Sequence, residues 1–398
     1  MRKKLLNSKM IGVLAVILVL FMAVGVAEEE RTDAGGQWKY VLEDGCATIT
    51  GWVEEPEGDL KIPGELDGRP VTGIGFAAFE SCGAIVSITF PDSVISIGDS
   101  AFWGCYGLTG ITIPEQVTSI GKNPFGCTSI HDMDVSSANP AYAQYDGVLF
   151  DKTLTSLLSY PAGRGGAYSI PEGVVRIGAA AFEGCSGLTA VTIPDSVTSI
   201  GEGAFILCGG LTDVTIPDSV TSLEDNAFLM CTGLTGVTLP HSLTSIGNGT
   251  FDGCAALSGI ALPDHLTNIG YSAFYGCRGL TSVVIPDGVT SIGDQAFCSC
   301  TGLTNVIIPE SVTGIGSFAF YQCERLTELV IPESVTNIGG HAFEGCSGLA
   351  ALAVPANVND IGEFAFKDCE NLTLTVVEGS CGEQYAKDNS IPYALAAE

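Results

Sequence analysis

Apolar side chains return along this chain at a fixed interval of 23 residues. Phe182 and every twenty-third residue after it, as far as Phe366, is phenylalanine, and Phe79, Phe102 and Phe125 keep the same step earlier. In the period that begins at Phe182 the apolar positions are Leu188, Val191, Ile193, Val197, Ile200, Ala204, Phe205 and Cys208. Leu188, Val191 and Ile193, with Thr192 between the last two, show the alternation of a short strand with one buried face. Pro194 has no N–H and stops that strand, while Asp195 and Ser196 suit the turn that follows. Val197 and Ile200 point back inward, Gly201 permits a bend, and the Ala-Phe pair with Cys208 predicts a short helical turn on the opposite wall. One such unit cannot bury its apolar side alone, so the period predicts a stack of coils in which like residues fall into columns about 4.8 Å apart.

The repeated pattern LTxVxIPDSVTSIGxxAFxGC resembles the BspA-type (Treponema-type) leucine-rich repeat family of bacterial surface and secreted proteins, from roughly Trp38 to the C-terminus. The resemblance implies an α/β repeat solenoid, a right-handed leucine-rich-repeat horseshoe. Its parallel β-sheet would lie on the concave face, with short helical turns or extended segments on the convex face. It also implies an extracellular, protein-binding or adhesive role without catalysis.

Taken in order, residues 1–27 have the form of a secretory signal. Arg2, Lys3, Lys4 and Lys9 precede an apolar run from Ile11 to Val26, and Gly25-Val26-Ala27 gives a small-x-small cleavage pattern. An uncleaved segment of that length would instead anchor the chain in a bilayer. Residues 28–78 are expected to form an N-terminal cap: two runs, Trp38–Leu42 and Ala47–Thr50, flank an Asp44-Gly45 hairpin turn and precede a first degenerate repeat. Regular repeats occupy 79–125. Phe125 and Phe182 are 57 residues apart instead of two periods, so 126–181 is assigned to variant repeats with a hairpin insert, in which Tyr145–Phe150 leads through a polar turn at Asp151-Lys152 to Leu154–Tyr160. That hairpin either packs on its neighbours or protrudes and presents Tyr142, Tyr145, Phe150 and Tyr160 to a partner. Regular repeats resume over 182–370, and 371–398 is a C-terminal cap with a last strand and a helix between Ser380 and Asn389.

Charge narrows the function. There are 16 Lys and Arg against 45 Asp and Glu, a net −29. Removing the signal leaves 12 positive charges and the same 45 acids, −33. A surface this acidic repels phosphate backbones and argues against nucleic-acid partners. Eleven of the 15 cysteines, from Cys82 to Cys369, lie three residues after the repeat Phe. Parallel thiols in one column point the wrong way for bridges and are expected to stay buried and free. Cys46, Cys127, Cys298 and Cys381 fall outside the column. His241 and His265 sit at turns of neighbouring coils without a third ligand, which does not make a metal site. Acidic residues after the turn proline, such as Asp195, Asp218 and Asp287, should stack into a ridge. Neighbours about 5 Å apart repel by roughly 0.8 kcal/mol in water, so the ridge is either turn capping or a Ca²⁺-attracting edge.

The outward positions of the strands flank the buried Val. They are small and hydroxyl-bearing through the middle of the chain and become larger and apolar at Val284, Ile307 and Val330, beside Ser282, Asn305 and Glu328. These six residues, with Tyr142 and Tyr145 of the insert, are the candidate partner-binding set. No HExxH, GxSxG or phosphate-binding Gly loop occurs, and no cofactor is expected. The expectation is a secreted or cell-surface, non-catalytic recognition protein that binds a protein or glycan on a host or neighbouring cell. The alternative is an envelope scaffold acting through self-association.

Overall fold

The structure, a computed structural model, describes residues 29–396; the signal assigned to residues 1–27 lies outside them. The described chain winds into a solenoid whose coils stack in parallel register. The expected strand recurs as Leu188–Thr192, Asp213–Thr215 and Gly236–Thr238, then Ser282–Val284 and Asn305–Ile307. Its side chains alternate out, in, out, as in Asp213, Val214 and Thr215. The pattern had shown only this sheet, yet a second one runs along the return path. Pairs such as Ser199–Ile200 and Ser222–Leu223 hydrogen-bond in parallel from coil to coil. The Val and Ile of each VTSI segment turn their side chains into the core, while the amides of its Thr and of the closing Gly bond along the stack: Thr198 and Gly201 donate to the carbonyls of Val175 and Ile177 at 2.8 and 3.0 Å.

The third wall corrects an expectation. No helix forms around the Ala-Phe pair in the described repeats; the backbone makes tight turns with left-handed residues two before and two after each Phe. Around Phe297 these are Gln295 (φ 58°) and Ser299 (φ 59°). The alternation turns every second N–H along the stack. Gln295, Phe297 and Ser299 donate to the carbonyls of Ser317, Ala319 and Tyr321 at 2.8, 2.8 and 2.7 Å. The turns therefore form a backbone ladder of their own.

Inside, the Phe column is buried throughout and its rings stack, from 4.8 Å between Phe182 and Phe205 to 6.1 Å between Phe102 and Phe125. The column cysteines other than Cys82 and Cys185 cap the Phe carbonyl of the preceding coil: the Sγ of Cys208, Cys231 and Cys300 lie 3.0, 3.0 and 3.1 Å from the oxygens of Phe182, Phe205 and Phe274. All 15 cysteines are free. Threonine hydroxyls join coils outside, as when Thr235 and Thr304 donate to the carbonyls of Thr212 and Thr281, both at 3.0 Å.

The N-terminal hairpin pairs Trp38–Glu43 with Cys46–Trp52 through Asp44 (φ 49°) and Gly45 (φ 81°), the two positive φ values of a type I′ turn. Trp38 covers the first ring of the column, its centroid 6.1 Å from that of Phe79. At the other end Ser380 caps the helix Cys381–Asp388, whose Tyr385 packs edge-on against Phe366 at 5.8 Å. The chain then adds a strand, Tyr393–Leu395, beside Thr373–Val376.

The insert is not a protrusion. Tyr142–Tyr145 pairs with Val148–Asp151, which pairs with Ser156–Ser159, and that strand joins the second sheet at Arg176–Ile177. Tyr160 takes the Phe position in this shortened coil: its ring stacks 5.0 Å from Phe182 and its N–H donates to Ala181, as a column Phe would. The strand Val148–Asp151 is buried on both faces and divides the core. Leu149 packs into a first compartment that reaches back to Trp38; Val148 and Phe150 pack into a second that runs on to Ala386. The short coil also leaves a seam in the turn wall. Trp103 Nε1 donates across it to Glu183 at 2.9 Å, and Lys122 reaches Glu202 at 3.0 Å. Burial raises the Glu183 carboxyl above its usual range against the pull of the Trp103 bond.

Candidate binding face

Three of the six outward residues chosen on the sheet stand in one column and are strongly exposed: Val284 at 59 %, Ile307 at 52 % and Val330 at 75 %. Val284 is in register with Ile307, and Ser282, Asn305 and Glu328 are in register beside them. Asn305–Ile307 pairs with Ser282–Val284 on one side and Glu328–Leu329 on the other, with Val283, Val306 and Leu329 anchoring these segments from behind. The result is a short apolar rib along a face otherwise made mostly of Thr, Ser, Gly and Ala, with Asp213, Asn305 and Glu328 among them.

Beside the rib the sheet breaks. Gly259, Ile260 and Ala261 occupy a strand position but form none, which divides the sheet into Gly166–Thr238 and Ser282–Leu329. Sequence reasoning assigned every coil a strand here. Gly259 and Ala261 lack the branched side chains that favour the extended pleat, and Ile260 is only partly buried. A shallow trough of about 350 Å³ lies over the break, lined by Asp213, Thr215, Gly236, Thr238, Gly259 and Ala261.

The insert tyrosines separate. Tyr145 is 55 % exposed. Tyr142 is half-buried and its hydroxyl accepts the N–H of Ile120 at 2.8 Å, so it fastens the hairpin to the preceding coil. Phe150 and Tyr160 are core residues. Arg164 gathers the base of the hairpin through Asp132, Asp146 and the carbonyl of His131. No structural feature brings Tyr142 and Tyr145 together with the rib.

His241 binds Asp218 of the coil before it, through both its backbone N–H (2.8 Å) and Nδ1 (3.0 Å), and these bonds hold the Asp218 carboxyl below its usual range. Among the described residues no three His, Cys, Asp or Glu side chains converge on a metal-sized site. Asp252, in the position after a column Phe, is desolvated without a cation beside it, and burial pushes its carboxyl up to about 7. Sequence reasoning missed it because that position also holds Ile206, Leu229 and Tyr275, so no column signal marks it. Among the described residues no helix is long and apolar enough to cross a membrane.

The model of the BspA type leucine rich repeat region matches the chain in six copies, over residues 66–153, 167–281 and 267–386. No curated protein matches the chain. Among solved structures, the chain is similar to a leucine rich cell surface protein of Faecalibacterium prausnitzii. The two are 26% identical, the match covers 91% of this chain and 98% of that one, and the TM-score is 0.55. It is also similar to a leucine-rich repeat protein of Bacteroides ovatus, with 25% identity, 95% and 100% coverage and a TM-score of 0.53.

Proposed function

The chain belongs to the BspA-type leucine-rich repeat family, and from that premise we propose that it is a non-catalytic recognition protein of the cell surface or the surrounding medium. Its partner is a protein or glycan on another cell, taken up on the outward sheet face around Val284, Ile307 and Val330. One observation carries this reading: Val284 and Ile307 stand unburied in register on adjacent strands, and the exposed Val330 follows at the same repeat position in the next coil. Exposed apolar groups grouped on one face mark contact surfaces. The description of the Faecalibacterium relative as a cell surface protein supports the location, and the family resemblance supports the absence of catalysis. The acidic surface disfavours nucleic acid as the partner.

The purified chain is tested against an array of extracellular-matrix proteins and glycans, with light scattering on the same sample. Saturable binding that Ile307→Asp abolishes, with the melting temperature unchanged, supports the reading. Absence of binding together with a defined oligomer turns the assignment to an envelope scaffold built by self-association.

A further inference from the structure

The ladder of turns has an open end. In each coil from Phe182 to Phe343 three amides, at the Phe and two residues to either side, donate to carbonyls of the next coil. The last coil has no successor. The N–H groups of Phe364 and Asp368 find no acceptor among the described residues, and that of Phe366 stands beside the Tyr385 hydroxyl. A cleft of about 390 Å³ opens in front of them, between this coil and the cap helix, lined by Phe364, Lys367, Asp368, Glu370, Tyr385 and Ser390 among others.

The chemistry of the lining selects the guest. Aligned N–H donors favour an oxygen acceptor, but the acceptor is not an anion. Lys367 is already engaged by Glu344 at 2.7 Å and Asp368 at 3.5 Å, and the exposed carboxylates of Asp368 and Glu370 repel negative charge. A neutral carbonyl satisfies the donors. The carboxylates accept hydroxyl protons. Phe364, 39 % exposed, offers the part of its ring left open beside the Lys367 ammonium, whose Nζ lies 5.5 Å from the ring centroid. Its backbone lies at φ 59°, a region costly for an aromatic residue and filled in earlier coils by Gly203, Asn226, Gly249 and Ser272. Only in the last three coils does this column turn aromatic, with Phe318 stacked on His341 at 4.4 Å and His341 against Phe364 at 5.2 Å.

We propose that this cleft binds the N-acetyl group and ring of an N-acetylated amino sugar. The acetamide oxygen accepts from the Phe364 amide, a ring-hydroxyl oxygen accepts from the Asp368 amide two donors further along the ladder, the sugar ring lies against Phe364, and its hydroxyls donate to Asp368 and Glu370. The volume accommodates one or two pyranose rings. The site is separate from the sheet face and does not rest on that assignment.

Titration of the full chain with N,N′-diacetylchitobiose, followed by calorimetry and by amide NMR, tests the site. The expected result is saturable binding with the largest shifts at the Phe364 and Asp368 amides. Cellobiose, which has no acetamide, binds at least about tenfold more weakly. Phe364→Gly suits the left-handed backbone, so it folds with an unchanged or higher melting temperature while losing sugar affinity at least about tenfold. Ile307→Asp leaves sugar binding intact. The proposal is overturned if these amides do not shift, if cellobiose binds equally well, or if Phe364→Gly binds like the parent. It is also overturned if Ile307→Asp removes the sugar, or if N-acetylglycine N-methylamide binds more tightly than the disaccharide, which would make this a peptide site.

Discussion

At the scale of single residues, burial decides which groups react. Burial pushes the Cys105 thiol up to about 12, and those of Cys208, Cys277 and Cys323 well above their usual range. A thiol held protonated and out of solvent is a poor nucleophile. In the folded chain a thiol reagent is therefore expected to leave the column unmodified at pH 8, and to titrate all 15 cysteines only after denaturation. Mass-spectrometric mapping of the labelled positions checks this. Asp252 works in the opposite direction. Folded, its carboxyl keeps a proton until about pH 7, whereas an ordinary aspartate loses it at 3.8. Between those values the native chain binds the extra proton, so the associated stability is complete below 3.8 and is lost as pH rises through 7. Asp252→Asn is expected to melt with the parent at pH 4 and several degrees above it at pH 8. A three-unit displacement bounds the gain at about 4 kcal/mol. The cysteine column was legible because a constant spacing repeats its environment. Asp252 was not, because burial in the position after Phe depends on the neighbours of one coil.

At the scale of the element, the strand and its proline stop could be read directly, since alternation and a missing N–H are local properties. The turn ladder could not. Its signature is a backbone conformation shared by Gln295, Ser299, Phe318 and His341, which have no side-chain chemistry in common. The glycine that closes each VTSIG segment was expected to permit a bend, and the structure gives a more specific reason. A Cβ on Gly201 would lie 2.7 Å from Ala179 N and 2.9 Å from Gly178 C, both backbone atoms of the preceding coil. Neither can move without opening the second sheet. Gly201→Ala is expected to destabilise the chain by roughly 2–3 kcal/mol, measured by denaturant unfolding, with the native circular dichroism retained. The break at Gly259–Ala261 is the converse case. Period alone implied a strand there, and the weak pleat preference of Gly and Ala prevailed.

For the whole molecule the decisive element is the strand Val148–Asp151. The altered spacing between Phe125 and Phe182 announced it, but its role as a partition depends on a neighbour on each face, which sequence does not show. Two core compartments imply two cooperative units. Scanning calorimetry is expected to resolve two transitions. Leu149→Ala should lower one and Phe150→Ala the other, each at a cost of about 3–5 kcal/mol for its own compartment. Parallel movement of both transitions in either variant would show that the partition does not separate them. The bonds across the seam, Trp103 to Glu183 and Lys122 to Glu202, couple the halves from outside.

The coil-to-coil hydrogen bonds described above run along the axis of the stack, and each coil is held mainly by the one before and the one after. Under tension between its ends such a chain yields by peeling. One coil of 23 residues leaves a 4.8 Å step and pays out as extended chain, a gain of about 70 Å per event. Each release absorbs work before the next coil takes the strain. A protein gripping a partner in flowing liquid would then lengthen stepwise and keep the force on its contact below the value that tears it loose.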